Sequence, residues 1–157
     1  MKKYFVIGNP IDHSLSPQLH NYWLKKNNIN GVYDKKKLDS NDLKDLVLKI
    51  KNNEISGLNI TVPFKNEIIP YLDELSNESK STQSVNTIYS YKNKIIGHNT
   101  DIDGFEFAIK NTEYEVNGKK ILILGAGGVV PSIIFALNKM GASEIILSNR
   151  TKHKAET

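Results

Sequence analysis

The run Lys119-Lys120-Ile121-Leu122-Ile123-Leu124-Gly125-Ala126-Gly127-Gly128 joins a nearly continuous apolar segment to a glycine turn. Such a segment has the character of a parallel strand covered on both faces. The residues after it, Val129 to Gly141, space Ile133, Leu137 and Met140 at helical intervals. Glu144 to Ser148 follows as a further strand. A glycine turn between strand and helix lets backbone amides approach a pyrophosphate, and the helix N-terminus adds partial positive charge. Strand, glycines, helix and strand in that order form a dinucleotide-binding arrangement. Val130 stands where the usual fingerprint has its third glycine, and Pro131 falls in the first helical turn, where proline is tolerated.

The end of the second strand selects the dinucleotide. A carboxylate there binds the 2'-hydroxyl of NAD, whereas a guanidinium accepts the 2'-phosphate of NADP through paired hydrogen bonds. The residues are Ser148-Asn149-Arg150-Thr151, and Arg150 is the single arginine beside twenty lysines. NADP is therefore the expected cofactor. A complete parallel nucleotide domain normally has about six strands. Residues 113–157 are accordingly expected to form only the first strand-helix-strand of a truncated Rossmann-type domain. The polar, turn-like stretch Asn111 to Gly118 sets the expected boundary, leaving residues 1–112 as an α/β substrate domain with a mixed sheet and a linking helix.

Within that first domain, Gly57-Leu58-Asn59-Ile60-Thr61-Val62-Pro63-Phe64-Lys65 alternates apolar and polar residues. In a strand, Asn59 and Thr61 leave one face while Leu58, Ile60 and Val62 leave the other, and Pro63 stops the strand two residues before Lys65. Strand ends are rigid platforms for chemistry, although a solvated lysine would look the same. Tyr4-Phe5-Val6-Ile7 reads as a first strand closed by Gly8-Asn9-Pro10. Ser14 and Ser16 lie two residues apart before a helix carrying Leu19, Tyr22, Trp23 and Lys26; Pro17 suits its first position, so Ser16 is either its N-cap or a ligand group. Val32 to Leu38 is a second strand, and Ser40 to Asn52 a helix with Leu43, Leu46, Val47 and Ile50 inward. Ser84 to Tyr89 and Lys94 to His98 read as a hairpin around Lys92-Asn93, with Asn86 and Asn99 in or just after its strands. A helix from Asp103 to Asn111 follows, with Phe105, Ala108 and Ile109 as its buried face; Asp101 sits like its N-cap or as a carboxylate pointing out of the strand end.

Composition narrows the chemistry. Without cysteine there are no disulfides, thiol nucleophiles or cysteine-ligated metals. His13, His20, His98 and His153 are dispersed, so no metal site is expected, and no serine sits at a glycine-flanked elbow. The net charge of +4 comes from lysines scattered over several elements, which reads as a solvated surface rather than a nucleic-acid footprint. No apolar run has the length of a membrane span, and no signal peptide opens the chain, so a cytoplasmic location is expected.

Taken in order, Ser14-Leu15-Ser16-Pro17, Asn59-Ile60-Thr61-Val62-Pro63-Phe64-Lys65, Val85-Asn86-Thr87, Gly97-His98-Asn99-Thr100-Asp101, the glycine turn and Asn149-Arg150-Thr151 resemble the shikimate dehydrogenase family. The resemblance spans the whole chain. It implies reversible reduction of 3-dehydroshikimate to shikimate with NADPH in aromatic amino-acid biosynthesis, in a monomer or homodimer. It also implies that Ser14, Ser16, Asn59, Thr61, Asn86 and Asp101 bind the substrate. Lys65 and Asp101 look like the catalytic pair, since hydride delivered to a ketone creates an alkoxide that needs a proton. Gly125, Ala126, Gly127, Gly128 and Val129, with Asn149, Arg150, Thr151, Lys152, His153 and Lys154, look like the NADP site. One departure is Gln83-Ser84, where the family commonly has a glycine-alanine pair. A quinate/shikimate dehydrogenase using NAD, and a truncated chain that only binds shikimate, are the competing readings.

Overall fold

The computed structural model describes residues 1–156; Thr157 and the side chain of Lys154, one of the expected cofactor residues, lie outside the described residues. By packing, the chain divides into two compact units, Met1–His98 and the residues from Asn99 onward. The division falls upstream of the 111–118 turn chosen from sequence, because helix 101–110 packs on a helix that follows the glycine turn.

The first unit contains β1 (Lys2–Gly8), α1 (Ser16–Lys26), β2 (Gly31–Lys37), α2 (Leu43–Lys51), β3 (Gly57–Ile60), α3 (Phe64–Glu67), β4 (Glu74–Leu75), α4 (Asn77–Thr82), β5 (Thr87–Tyr91) and β6 (Lys94–His98). The strands form one six-stranded mixed sheet in the order β2-β1-β3-β5-β6-β4. The pairs β1/β2, β1/β3 and β4/β6 are parallel, while β3/β5 and β5/β6 are antiparallel. The β5–β6 hairpin turns at Lys92 and Asn93, both with positive φ, as a tight two-residue turn requires.

Side-chain alternation sorts the two faces of this sheet. Ile7, Leu58, Ile60, Ile88 and Ile95 join the α2 residues Leu43, Leu46, Val47 and Ile50 in one core, which Phe64, Ile68 and Val85 extend. On the opposite face Val6, Ile11 and Tyr33 form a smaller cluster with Tyr4 and Leu24. Asn59 lies between Leu58 and Ile60 on β3, so the strand period of two turns it toward the Tyr33 side.

The second unit holds α5 (Asp101–Lys110), β7 (Lys120–Leu124), α6 (Val130–Lys139), β8 (Glu144–Ser148) and α7 (His153–Glu156). β7 and β8 pair in parallel, as the glycine-turn motif demands. Their burial alternates, however: Ile121, Ile123, Ile145 and Leu147 are half-buried, whereas Leu122, Leu124 and Ile146 are exposed. The expectation of a strand covered on both faces is thus met on one face among the described residues. Helix α5 begins earlier than expected and buries Ile102 and Glu106, while Ala108 is exposed. The Glu106 carboxylate, 7% exposed, ion-pairs with Lys139 of α6 at 2.8 Å and with Lys110 at 3.7 Å. No described helix is long and apolar enough to cross a membrane.

The Gln83-Ser84 departure leaves a structural trace. Gln83 ends α4 in the left-handed conformation at φ 48, which costs a side-chain-bearing residue about 1 kcal/mol. Ser84 is 4% exposed and its Oγ has no hydrogen-bond partner among the described residues. A buried hydroxyl without a partner costs about 1 kcal/mol or more. Ser84→Ala is therefore expected to stabilise the first unit by about 1 kcal/mol, read as a higher urea midpoint at unchanged m-value; a lower midpoint contradicts the assignment.

Candidate functional site

In the first unit the expected site residues gather where the parallel strands β1 and β3 end, the edge at which α/β sheets carry ligands. Backbone bonds fix that edge. The Thr61 amide donates to the Ile7 carbonyl (2.9 Å), the Asn9 amide to Val62 (3.0 Å) and the Val85 amide to Lys65 (2.8 Å). Asn86 is held on both sides: its amide donates to His98 (3.0 Å), and its carbonyl accepts from Ile60 (2.8 Å). Lys65 lies in α3, directly after Phe64, whose buried ring anchors that turn in the core. Gly8 is what admits Thr61, because a Cβ at position 8 would lie 2.6 Å from the Thr61 methyl.

Of the two roles open to Ser16, the structure removes capping. The N-cap of α1 is Leu15, without a side-chain cap, so Ser16 is not the capping residue; the Ser14 hydroxyl instead accepts the Ser16 amide at 3.3 Å. The Ser16 hydroxyl hydrogen-bonds Tyr33. Tyr33, 5% exposed, donates its hydroxyl to Asn59 Oδ1 (2.7 Å). Asn59 Nδ2 in turn donates to Thr87 Oγ1 (3.1 Å) and to the Asn86 carbonyl (3.3 Å), and the Thr87 hydroxyl donates to Asn86 Oδ1 (3.0 Å). Four expected ligand residues, Ser14, Ser16, Asn59 and Asn86, are thereby joined through two that were not expected, Tyr33 and Thr87. Burial pushes the Tyr33 phenol up from its ordinary value, partly offset by the Ser16 hydrogen bond, so it keeps its proton for Asn59.

In the second unit, Asp101 occupies the first turn of α5 and is not its N-cap. Asn99 Oδ1 accepts the Asp101 amide at 3.0 Å, and Asn99 Nδ2 donates to Ser132 of α6 at 2.8 Å, with both Asn99 and Ser132 fully buried. Asn99 thus accepts the first amide of α5 and ties that helix to α6.

The glycine turn fits a pyrophosphate. Gly125 adopts φ +103, a conformation that favours glycine, and a Cβ at Gly127 would meet nothing within 4 Å, so the backbone lies open to a close-approaching ligand. Val129, 40% exposed, precedes the first turn of α6. Asn149 bridges the turn to the end of β8, accepting the Ala126 amide (3.1 Å) and donating to the Thr151 carbonyl (2.8 Å). Arg150 and Lys152 are exposed beyond β8, Lys152 facing Glu156 at 3.4 Å. His153 opens α7.

Residues 6–88 match the model of the shikimate dehydrogenase substrate binding domain. The chain belongs to the shikimate dehydrogenase family. The NADP-dependent shikimate dehydrogenase of Pelagibacter ubique is 62% identical over 99% of this chain and 59% of its own length. The Aquifex aeolicus shikimate dehydrogenase structure matches with a TM-score of 0.93 at 42% identity, over 99% of this chain and 58% of that one. A Thermus thermophilus shikimate 5-dehydrogenase in complex with NADP(H) and shikimate matches with a TM-score of 0.89 at 31% identity, over 99% and 59% of the two chains. The chain therefore spans between half and two thirds of the length of these relatives.

Several residues of this family member escape a sequence reading. Tyr33 sits in the charged strand Gly31–Lys37, where its alternation with Val32 and Asp34 is the single hint of an inward side chain. Asn21 brackets it by accepting the Tyr33 amide (2.9 Å) and donating to the Tyr33 carbonyl (2.7 Å), and His20 stacks on its ring at 4.2 Å and 5°. Burial lowers the His20 pKa from its ordinary value, so the folded chain favours neutral imidazole. The unfolded chain then binds more protons below about pH 6.5, and stability is lost as pH falls through that region. Between pH 7 and pH 5, the urea midpoint followed by Trp23 fluorescence is expected to fall further in the parent than in His20→Phe, which keeps a stacking ring; equal slopes contradict this.

Proposed function

We propose that this chain is the substrate-binding region and the beginning of the nucleotide region of an NADP-dependent shikimate dehydrogenase, catalysing reversible reduction of 3-dehydroshikimate to shikimate. The observation that carries the reading is that Ser14, Ser16, Asn59, Thr61, Lys65 and Asn86 sit together at one sheet edge inside the segment matched by the substrate binding domain. Hydroxyl, amide and ammonium groups in such density suit a polyhydroxylated acid. A pocket that hydrogen-bonds several hydroxyls also rejects deoxy analogues, since each missing partner leaves a polar group unpaired.

In this reading NADP, when bound, supplies or accepts the hydride. It would be held by the backbone of Gly125 to Val129 at the start of α6, with Arg150 on the 2'-phosphate and Thr151, Lys152 and His153 alongside. Lys65 as ammonium donates a proton to the oxygen that becomes a hydroxyl, and as amine takes it back in the reverse direction. By the family resemblance Asp101 is the second member of the catalytic pair, and its carboxylate accepts a substrate hydroxyl. Asn59 and Asn86 contribute amide groups, and Ser14 and Ser16 hydroxyls. The protein operates in the cytoplasm as a monomer or homodimer, without nucleic-acid partners. Its lysines are distributed over many elements rather than one face.

The test is an NADPH-oxidation assay with 3-dehydroshikimate, accompanied by calorimetry with shikimate. Lys65→Ala is expected to lower turnover by about 100-fold or more while changing shikimate affinity much less; equal losses in both make Lys65 a binding residue only. Arg150→Ala is expected to raise the Michaelis constant for NADPH more than that for NADH, and a preference for NADH in the parent would favour the NAD-dependent reading. Shikimate binding without NADPH oxidation identifies a chain that binds substrate alone.

A further inference from the structure

We propose that Ser132 and Asn99 are positioning residues which hold the start of α5, and with it Asp101, in fixed register with the start of α6, where the glycine turn ends. This rests on the reading of Asp101 as a catalytic residue and of the glycine turn as a cofactor site.

Polar links join these two helices at both ends, and the links fall in step. Asn99 Nδ2 donates to Ser132 Oγ at 2.8 Å, and the Glu106 carboxylate pairs with Lys139 at 2.8 Å. Each partner of the second link lies seven residues after the corresponding partner of the first, 106 against 99 and 139 against 132. Equal spacing on both sides means that α5 and α6 run side by side in the same direction, so their N-terminal ends lie together. The α5 end carries Asp101 and Asp103 in its first turn, whereas the α6 end has no acidic residue there and follows the glycine turn directly. The positive end of the α6 dipole is thus left for an anion, beside a helix end already supplied with carboxylates.

The first link is directional. The Asp101 main-chain N–H can only donate, so the Asn99 atom 3.0 Å from it is Oδ1, and the other end of the amide, Nδ2, faces Ser132. Asn99 and Ser132 are both fully buried, so a slide or rotation of α6 that parted them would strip a buried amide N–H of its acceptor. Packing alone does not ask for a hydroxyl at this place. Ala136, one turn further along the same face of α6, is fully buried without one. The hydroxyl adds a fixed point: with Nδ2 held, Asn99 presents Oδ1 to the Asp101 amide, and the first turn of α5 is seated against the first turn of α6. A ligand that draws the α6 N-terminus toward its phosphates therefore carries the start of α5 with it.

The test uses the parent chain, Ser132→Ala and, as a control at the other link, Glu106→Gln, with amide hydrogen exchange and an NADP+ titration both followed by NMR. Ser132→Ala keeps the helix and removes the acceptor of Asn99. It is expected to speed exchange of the Asp101 amide about threefold to tenfold relative to the Phe105 to Ile109 amides, which report opening of the whole helix. Glu106→Gln is expected to leave that ratio unchanged whatever it does to stability. On adding NADP+, the Asp101 amide resonance of the parent is expected to shift together with those of Gly125 to Val129, whereas in Ser132→Ala the glycine-turn shifts persist and the Asp101 shift is largely lost. If Asp101 exchange in Ser132→Ala keeps pace with the rest of α5, Ser132 is only a packing residue and the proposal fails. It fails equally if NADP+ moves the glycine turn without moving Asp101 in the parent, or moves Asp101 as far in the variant. If NADP+ moves no glycine-turn resonance in the parent, the cofactor reading fails, while the exchange ratio still decides whether Ser132 seats the start of α5.

Discussion

The carbonyl of Asn86 accepts two hydrogen bonds, one from the Ile60 amide at 2.8 Å and one from the Asn59 side chain at 3.3 Å, and the architecture of the first unit hangs on that double acceptance. The first bond carries the β3–β5 pairing one residue beyond the start of β5. The second binds the polar face of β3 to the segment that bears Asn86. Because both reach the same atom, the frame of the sheet and the arrangement of its polar face cannot shift independently. A one-residue slip of β3 would put Asn59 into the aliphatic core of α2 and expose Leu58 and Ile60, so the register of the apolar residues also fixes the site.

Most of the scaffold could be read from the chain. The helix bearing Leu43, Leu46, Val47 and Ile50, the alternation of Gly57 to Ile60, the hairpin at Lys92-Asn93 and the strand-glycine-helix-strand unit all rest on local patterns, and all four occur. At helix starts local pattern left two readings open. Ser16 and Asp101 have the chemistry and position of caps, yet Ser14 and Asn99, each two residues upstream, accept the amides concerned. A two-residue offset between side chain and amide is as good as the usual cap for satisfying an orphan N–H, and sequence does not separate them.

The polar network was only half legible, for a different reason. Ser14, Ser16, Asn59 and Asn86 stand in recognisable motifs, but Tyr33 lies in a strand of mostly charged residues and acts across two strand spacings. Long-range side-chain geometry of that kind depends on sheet order. The order β2-β1-β3 follows from the parallel crossovers and leaves no local trace in the residues themselves. Burial of Glu106 against Lys139 is hidden in the same way, since it arises from packing between helices separated by a strand.

The contact between Gly8 and Thr61 bears on how such a sheet edge can diverge. Main-chain bonds from Thr61 to Ile7 and from Asn9 to Val62 hold the two loops in fixed apposition, so neither backbone can drift to accommodate a methyl group at position 8. A Cβ there would also lie 3.0 Å from Ile11 Cδ1 and 3.1 Å from the Val62 carbonyl oxygen, so shortening residue 61 alone does not open the space. A glycine that looks like a simple turn residue is thus enclosed by side chains of both loops and by a carbonyl, and divergence at this edge has to leave position 8 without a Cβ.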